Sequence, residues 1–225
     1  MALDELTVRS IPTGRDGIIF TLQRMAVLTK EAIRSEPIII LSRQITRNAP
    51  IGNKLAEASL IFDWVVHNVR YVKDTNLVET LISPVKLITE VGAGDCDDLS
   101  MLLAALFESV GTPARFVAVK TLRYDKSSGN FSERSGFSHV YTEGWLDGKW
   151  IIFDAASASP AIGKTTPSSG ERLIQPISVT EEMPPSMDAF QSSAKLALLG
   201  GALIAAIFMI YLMFRKKKYT IKLPN

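Results

Sequence analysis

Gly92-Ala-Gly-Asp-Cys-Asp-Asp-Leu-Ser-Met-Leu-Leu-Ala-Ala-Leu-Phe-Glu-Ser-Val110 is the stretch on which the reading of this chain turns. Gly92 and Gly94 permit backbone conformations and close approaches that a Cβ would forbid. Asp95 is a good N-cap residue, and Asp97 and Asp98 follow in the first turn, where carboxylates favour the positive end of the helix dipole. Leu99, Leu102, Leu103, Leu106, Phe107 and Val110 then recur at the spacing of an apolar helix face. The pattern predicts a tight loop opening a core helix, with Cys96 at or near its first position. A thiol there can fall from a pKa of about 8.5 to roughly 3.5–7.5. Free cysteine is also often a small buried hydrophobe, and position alone leaves both readings open.

Working outward toward the N-terminus, Ser83 to Val91 reads as a short helix with Pro84 in its first turn, leading into the cysteine loop. Asn53 to Tyr71 carries Leu55, Leu60, Ile61, Trp64, Val65 and Val69 on one side and is expected to be helical. His67, within it, reads as an ordinary helix histidine near Asp63, because nothing four residues away makes a metal pair with it. Pro37 to Arg47 and Gly17 to Arg34 are two further expected helices, and residues 1–16 form a polar arm.

Toward the C-terminus, Gly111-Thr-Pro113 ends the cysteine helix and the hydrophobic period changes. Ala114 to Leu122 is apolar and β-branched, as in a central strand. Tyr124 to Gly136 reads as a polar loop with Ser127-Ser-Gly-Asn130 at its tip. Phe137 to Trp145 is a second strand, and an Asp147-Gly148 turn joins it to a third, Lys149 to Asp154. Helices followed by an antiparallel meander make an α+β domain over residues 17–156. Residues 157–194, rich in proline, serine and threonine, read as a linker in which Leu173 to Val179 could form an edge strand.

Leu196 to Phe214 contains no charged residue, which matches the apolar thickness of a bilayer and predicts a transmembrane helix over residues 195–215. Ala197, Gly201 and Ala205 offer a small-residue face for helix pairing. The tail, residues 216–225, continues a basic run that begins at Arg215, and by the positive-inside rule it stays cytoplasmic. Met1-Ala-Leu-Asp-Glu-Leu is not a secretory signal, so the expected product is a single-pass protein of the cell membrane or of a virion membrane, with the facing side left open.

The net charge of +2 owes much to that basic cluster, and the remainder carries no footprint for nucleic acid. One cysteine allows no internal disulfide and excludes a two- or four-cysteine zinc site. Asp95, Asp97 and Asp98 lack the spacing of a calcium loop and are accounted for by capping. No metal or cofactor is expected.

His139 lies in the second expected strand, and Asp154 ends the third, across the hairpin. Antiparallel neighbours can bring the two side chains together on one sheet face. An aspartate-oriented imidazole beside a cysteine at a helix start is a nucleophile, base and orienter arrangement. The same three residues could also hold zinc, a weaker reading because the triad demands the same geometry. Trp145 and Trp150 read as sheet packing rather than as cleft walls.

Gly94-Asp-Cys-Asp-Asp98 with its apolar helix, Gly111-Thr-Pro-Ala-Arg-Phe-Val117, Phe137-Ser-His-Val-Tyr141 and Trp150-Ile-Ile-Phe-Asp154 together resemble the transglutaminase-like cysteine peptidase superfamily, in its compact bacterial and phage form. The resemblance implies a papain-like fold with Cys96 as nucleophile, His139 as base and Asp154 as its partner. It also implies an amide-bond enzyme working through an acyl-enzyme on a protein or peptide, with peptidoglycan peptides as one candidate and a phage or virion peptidase as one setting. Hydrolysis is favoured over cross-linking to an amine, which uses the same triad. The competing reading is a catalytically silent docking module of a membrane or virus particle. Acyl transfer from a small thioester is a third possibility, for which no sequence feature speaks.

Overall fold

The computed structural model describes residues 14–73 and 80–177. The expected membrane span, its small-residue face and the basic tail lie outside these residues. Among them the elements run α1 (Gly14–Ile33), α2 (Glu36–Thr46), α3 (Lys54–Asn68), β1 (Arg70–Tyr71), α4 (Pro84–Lys86), a π-helical turn (Leu87–Val91), β2 (Ala93–Gly94) and α5 (Cys96–Ser109). The chain continues with β3 (Ala114–Asp125), β4 (Asn130–Glu133), β5 (His139–Leu146), β6 (Lys149–Phe153) and β7 (Ser168–Pro176).

Helix α5 is the centre of the fold. Leu99, Met101 to Phe107 and the first-turn carboxylates are all buried, so the helix is enclosed on every side rather than along one stripe. α1, α2 and α3 pack on it from one direction and β5 from the other. Two hydrogen bonds tie α5 to the sheet: Ser100 Oγ donates to Val140 O (3.2 Å), and Thr142 Oγ1 donates to Ser100 O (2.9 Å). Gly111, at φ +80°, turns the chain out of the helix as expected.

The sheet is antiparallel, with β3 at its middle. β5 and β7 flank β3, β6 continues from β5, and β4 folds back on the far end of β3. The β5–β6 connection is the two-residue Asp147-Gly148 turn, both residues at positive φ, as a hairpin of this length requires. Phe153 rests edge-on against Phe62 and Phe107, joining the sheet to the helical layer. Trp145 and Trp150 pair across the hairpin, with the Arg115 guanidinium 4.1 Å from the Trp150 ring; both pack on the sheet.

Three expectations need correction. The third helix stops at Asn68, and Arg70-Tyr71 instead makes a short parallel bridge to Ala93-Gly94, which a helical period conceals. The stretch expected as a polar loop after Tyr124 is largely a hairpin: β3 runs on to Asp125 and β4 returns beside it, both exposed and therefore polar. The linker reading fails over residues 157–177, which fold onto the domain; β7 pairs with β3 from Arg172↔Val119 to Pro176↔Arg115, and Ile177 is fully buried. Its serines, glycine and proline suit an edge strand as well as a linker, and burial of Ile177 together with ladder pairing decides between them.

Candidate active site

The loop before α5 is held by reciprocal capping. Asp95 Oδ1 accepts from Asp97 N–H at 3.0 Å, and Asp98 Oδ2 accepts from Asp95 N–H at 3.3 Å. Asp98 Oδ1 also accepts from Ile82 N–H at 2.8 Å, which fastens the preceding segment to the helix start. Gly92 adopts φ +66°, whereas Gly94 is needed for space: a Cβ there would stand 2.6 Å from both Asp98 Cβ and Oδ2. Cys96 is thus the first residue of a doubly capped helix, partly buried.

His139 and Asp154 meet as the hairpin predicts. Extending the β5–β6 register by one residue sets Asp154 across from Tyr141 and diagonal to His139, and His139 Nε2 lies 2.7 Å from Asp154 Oδ2 with both residues buried. Asp154 is further held by Thr165 Oγ1 (2.7 Å) and Thr166 N–H (3.2 Å) on Oδ2, and by Ala156 N–H (3.2 Å) on Oδ1. Burial alone would raise this carboxyl, but the hydrogen bond and charge of His139, with the Thr165 and Thr166 donors, outweigh it and hold Asp154 below the ordinary range. Val140 N–H, one residue along β5 from His139, meets the Cys96 sulfur, so the helix start abuts the strand that carries the histidine.

The thiol itself departs from the expectation for a helix start. Burial pushes Cys96 well above the ordinary thiol range, Asp97 and Asp95 push it further, and the Val140 N–H pulls weakly the other way. The thiol donates to Asp97 Oδ1 at 3.5 Å. Desolvation and two carboxylates therefore act against the helix dipole and favour the protonated thiol. Replacing Asp97 with asparagine removes one of these charges, and the pH at which iodoacetamide alkylates Cys96 half-maximally is expected to fall by about one unit. Mass spectrometry of the alkylated protein across a pH series measures it; an unchanged profile would show that burial alone sets the thiol.

Tyr71 also belongs to this site, although a helical period gives no sign of it. The β1–β2 bridge sets it opposite Gly94, and its phenol is raised by burial first and then by the nearby Cys96, Asp95, Asp97 and Asp154. Thr165 and Thr166 lie hidden in what reads as linker. His67, by contrast, is exposed and donates through Nδ1 to Asp63 O at 2.7 Å, as a helix histidine does. Asp95, Cys96 and Asp97 bring one ligand-type atom each within 4.8 Å of one another, but Asp95 is engaged in capping and Asp97 with the thiol. Asp98, the third carboxylate of the calcium reading, is spent on backbone donors.

The sequence profile of the Transglutaminase-like superfamily matches residues 41–155, just over half of the chain and all three of Cys96, His139 and Asp154. The chain belongs to this superfamily. No curated protein matches it in sequence. Among solved structures it is similar to a protein from Parabacteroides distasonis proposed to be a protease, with 18% identity and a TM-score of 0.45 over 62% of this chain and 27% of that one. A proposed cysteine protease from Cytophaga hutchinsonii matches at 21% identity and a TM-score of 0.41 over 67% of this chain and 53% of that one. The periplasmic domain of TgpA from Pseudomonas aeruginosa matches at 14% identity and a TM-score of 0.44 over 59% and 47%. The chain thus spans from about a quarter to about half of the length of these structures. The α+β core of helices on an antiparallel sheet is that of a transglutaminase-like domain.

Proposed function

We propose that this member of the superfamily is a thiol enzyme that opens amide bonds through an acyl-enzyme, with Cys96 as nucleophile, His139 as base and Asp154 as its orienting partner. The observation that carries this reading is the buried 2.7 Å His139–Asp154 contact on the strand pair whose next residue, Val140, meets the Cys96 sulfur. With Nε2 engaged by Asp154, Nδ1 is the ring nitrogen that exchanges the proton.

Because burial and the neighbouring carboxylates favour the protonated thiol, the proton leaves Sγ for His139 Nδ1 as sulfur attacks the carbonyl carbon. The carbonyl π pair moves to oxygen, where the Cys96 backbone N–H at the helix start is a donor for the developing charge; one such donor is typically worth about 10²–10³ in rate. Collapse of the adduct breaks the C–N bond, and the imidazolium returns its proton to the departing amine. Water then attacks the thioester in hydrolysis, or a second amine does so in cross-linking. Hydrolysis of a peptide or isopeptide bond is our first choice, with the peptides of peptidoglycan among the candidate substrates. The apolar segment Leu196–Phe214 would hold the domain beside a cell or virion membrane as a single-pass anchor.

The upward push on the Cys96 thiol also favours a second reading, a catalytically silent docking module. One experiment separates the two. The full chain is treated with p-nitrophenyl acetate, and its intact mass and p-nitrophenol release are followed for wild type and Cys96→Ala. The enzyme gains one acetyl on Cys96 and discharges it to water or to an added primary amine. No acetyl at Cys96, or equal release by Cys96→Ala, would sink the enzyme reading.

A further inference from the structure

The carboxylate at the far end of the site is held from outside the region that matches the family. Asp154 Oδ2 receives three donors: His139 Nε2 and Thr165 Oγ1 at 2.7 Å each, and Thr166 N–H at 3.2 Å. A carboxylate can only accept, so the single hydroxyl proton of Thr165 is directed at Asp154. Thr165 stands ten residues beyond the end of the family match at residue 155. It is clamped on both sides. Gly163 N–H donates to Ile152 O on β6 at 2.8 Å, and Leu122 N–H of β3 donates to Pro167 O at 2.9 Å, immediately before β7 joins the sheet.

We infer that Thr165 is a positioning residue for the site: its hydroxyl fixes the Asp154 carboxylate in the orientation that takes His139 Nε2–H and leaves Nδ1 as the ring nitrogen for proton exchange. The inference rests on the triad reading proposed above. The backbone N–H of Thr166 fixes the same oxygen irrespective of side chain, so the variable part of the hold is the Thr165 hydroxyl. A carboxylate freed of that donor has a higher proton affinity and draws the imidazolium proton more strongly. Its orientation is also less restricted, so the imidazole spends less time in the productive pose.

The test compares Thr165→Val, which keeps the shape and loses the hydroxyl, with Thr165→Ser, which keeps the hydroxyl. Full-length wild type, both variants and His139→Ala are acetylated with p-nitrophenyl acetate, and the rate of Cys96 acetylation is followed from pH 5 to 9. Thr165→Val is expected to be slower by about tenfold at pH 7, with the acid limb of its profile moved up by about half a unit. Thr165→Ser is expected to lie within twofold of wild type in both respects. Thermal unfolding of the three is followed in parallel, and a merely structural role would lower the melting temperature without moving the acid limb. A Thr165→Val profile superimposable on wild type, or a Thr165→Ser profile as displaced as that of Thr165→Val, overturns the inference while leaving the triad standing. Equal rates for wild type and His139→Ala overturn the triad, and the role of Thr165 falls with it.

Discussion

Replacing His139 by alanine is expected to slow acetylation of Cys96 at pH 7 by about 10²–10⁴, the usual worth of a placed general base. The loss falls toward the upper end because the sulfur cannot compensate. Burial together with Asp97 and Asp95 pushes the thiol up, which disfavours the thiolate once the imidazole is gone. A cysteine with a low intrinsic pKa would lose far less, since its thiolate would persist without a base. Added imidazole should restore part of the rate in His139→Ala, because the missing group is a small base of the same chemistry. Circular dichroism must show a native spectrum, since His139 is buried and paired. A rate within threefold of wild type in a folded variant would remove His139 from the chemistry.

Gly94→Ala should give the largest loss of stability of any single methyl group added near the site. The new Cβ would stand 2.6 Å from Asp98 Cβ, an atom that cannot swing aside because it is fixed to the helix backbone. Either the β2 strand lifts away from α5 or Asp98 leaves its place, and Asp98 is the acceptor for both Asp95 N–H and Ile82 N–H. Overpacking and loss of the capping box together come to roughly 2–4 kcal/mol, or about 5–15 °C in melting temperature for a domain of this size. Gly92→Ala carries a different penalty, that of a positive φ with open space around it, and is expected to cost only about 1 kcal/mol. Scanning calorimetry of the two variants separates crowding from backbone strain; equal melting temperatures would mean that Gly94 serves only conformation.

The parts of the site that depend on near neighbours along the chain are legible in the amino-acid sequence. Asp95 as cap and Cys96 as first helical residue follow from a loop grammar that closes within four residues. The approach of His139 to Asp154 follows from counting outward from the Asp147-Gly148 turn. What escapes a reading of sequence depends on partners far away along the chain. The β1–β2 bridge joins residues more than twenty positions apart, and the side chains of Arg70 and Tyr71 fit the tail of a helical period equally well. β7 pairs with a strand some fifty residues earlier, and its exposed alternate positions give it the composition of a linker. The balance at the Cys96 thiol escapes for a related reason: the dipole of a helix start is written in sequence, whereas the desolvation that opposes it is set by everything packed above the sulfur.

The β3–β7 ladder also bears on where the chain can be cut. A fragment ending with the family match at Ala155 would discard the segment that covers one side of β3, leaving a row of unpaired N–H and C=O groups from Arg115 to Val119 open to any other extended peptide. It would also strip Asp154 of its donors from Ala156, Thr165 and Thr166. A terminus after Ile177 keeps the strand and its buried last side chain, so the C-terminal boundary of the folded piece lies more than twenty residues beyond the one its family resemblance alone would suggest.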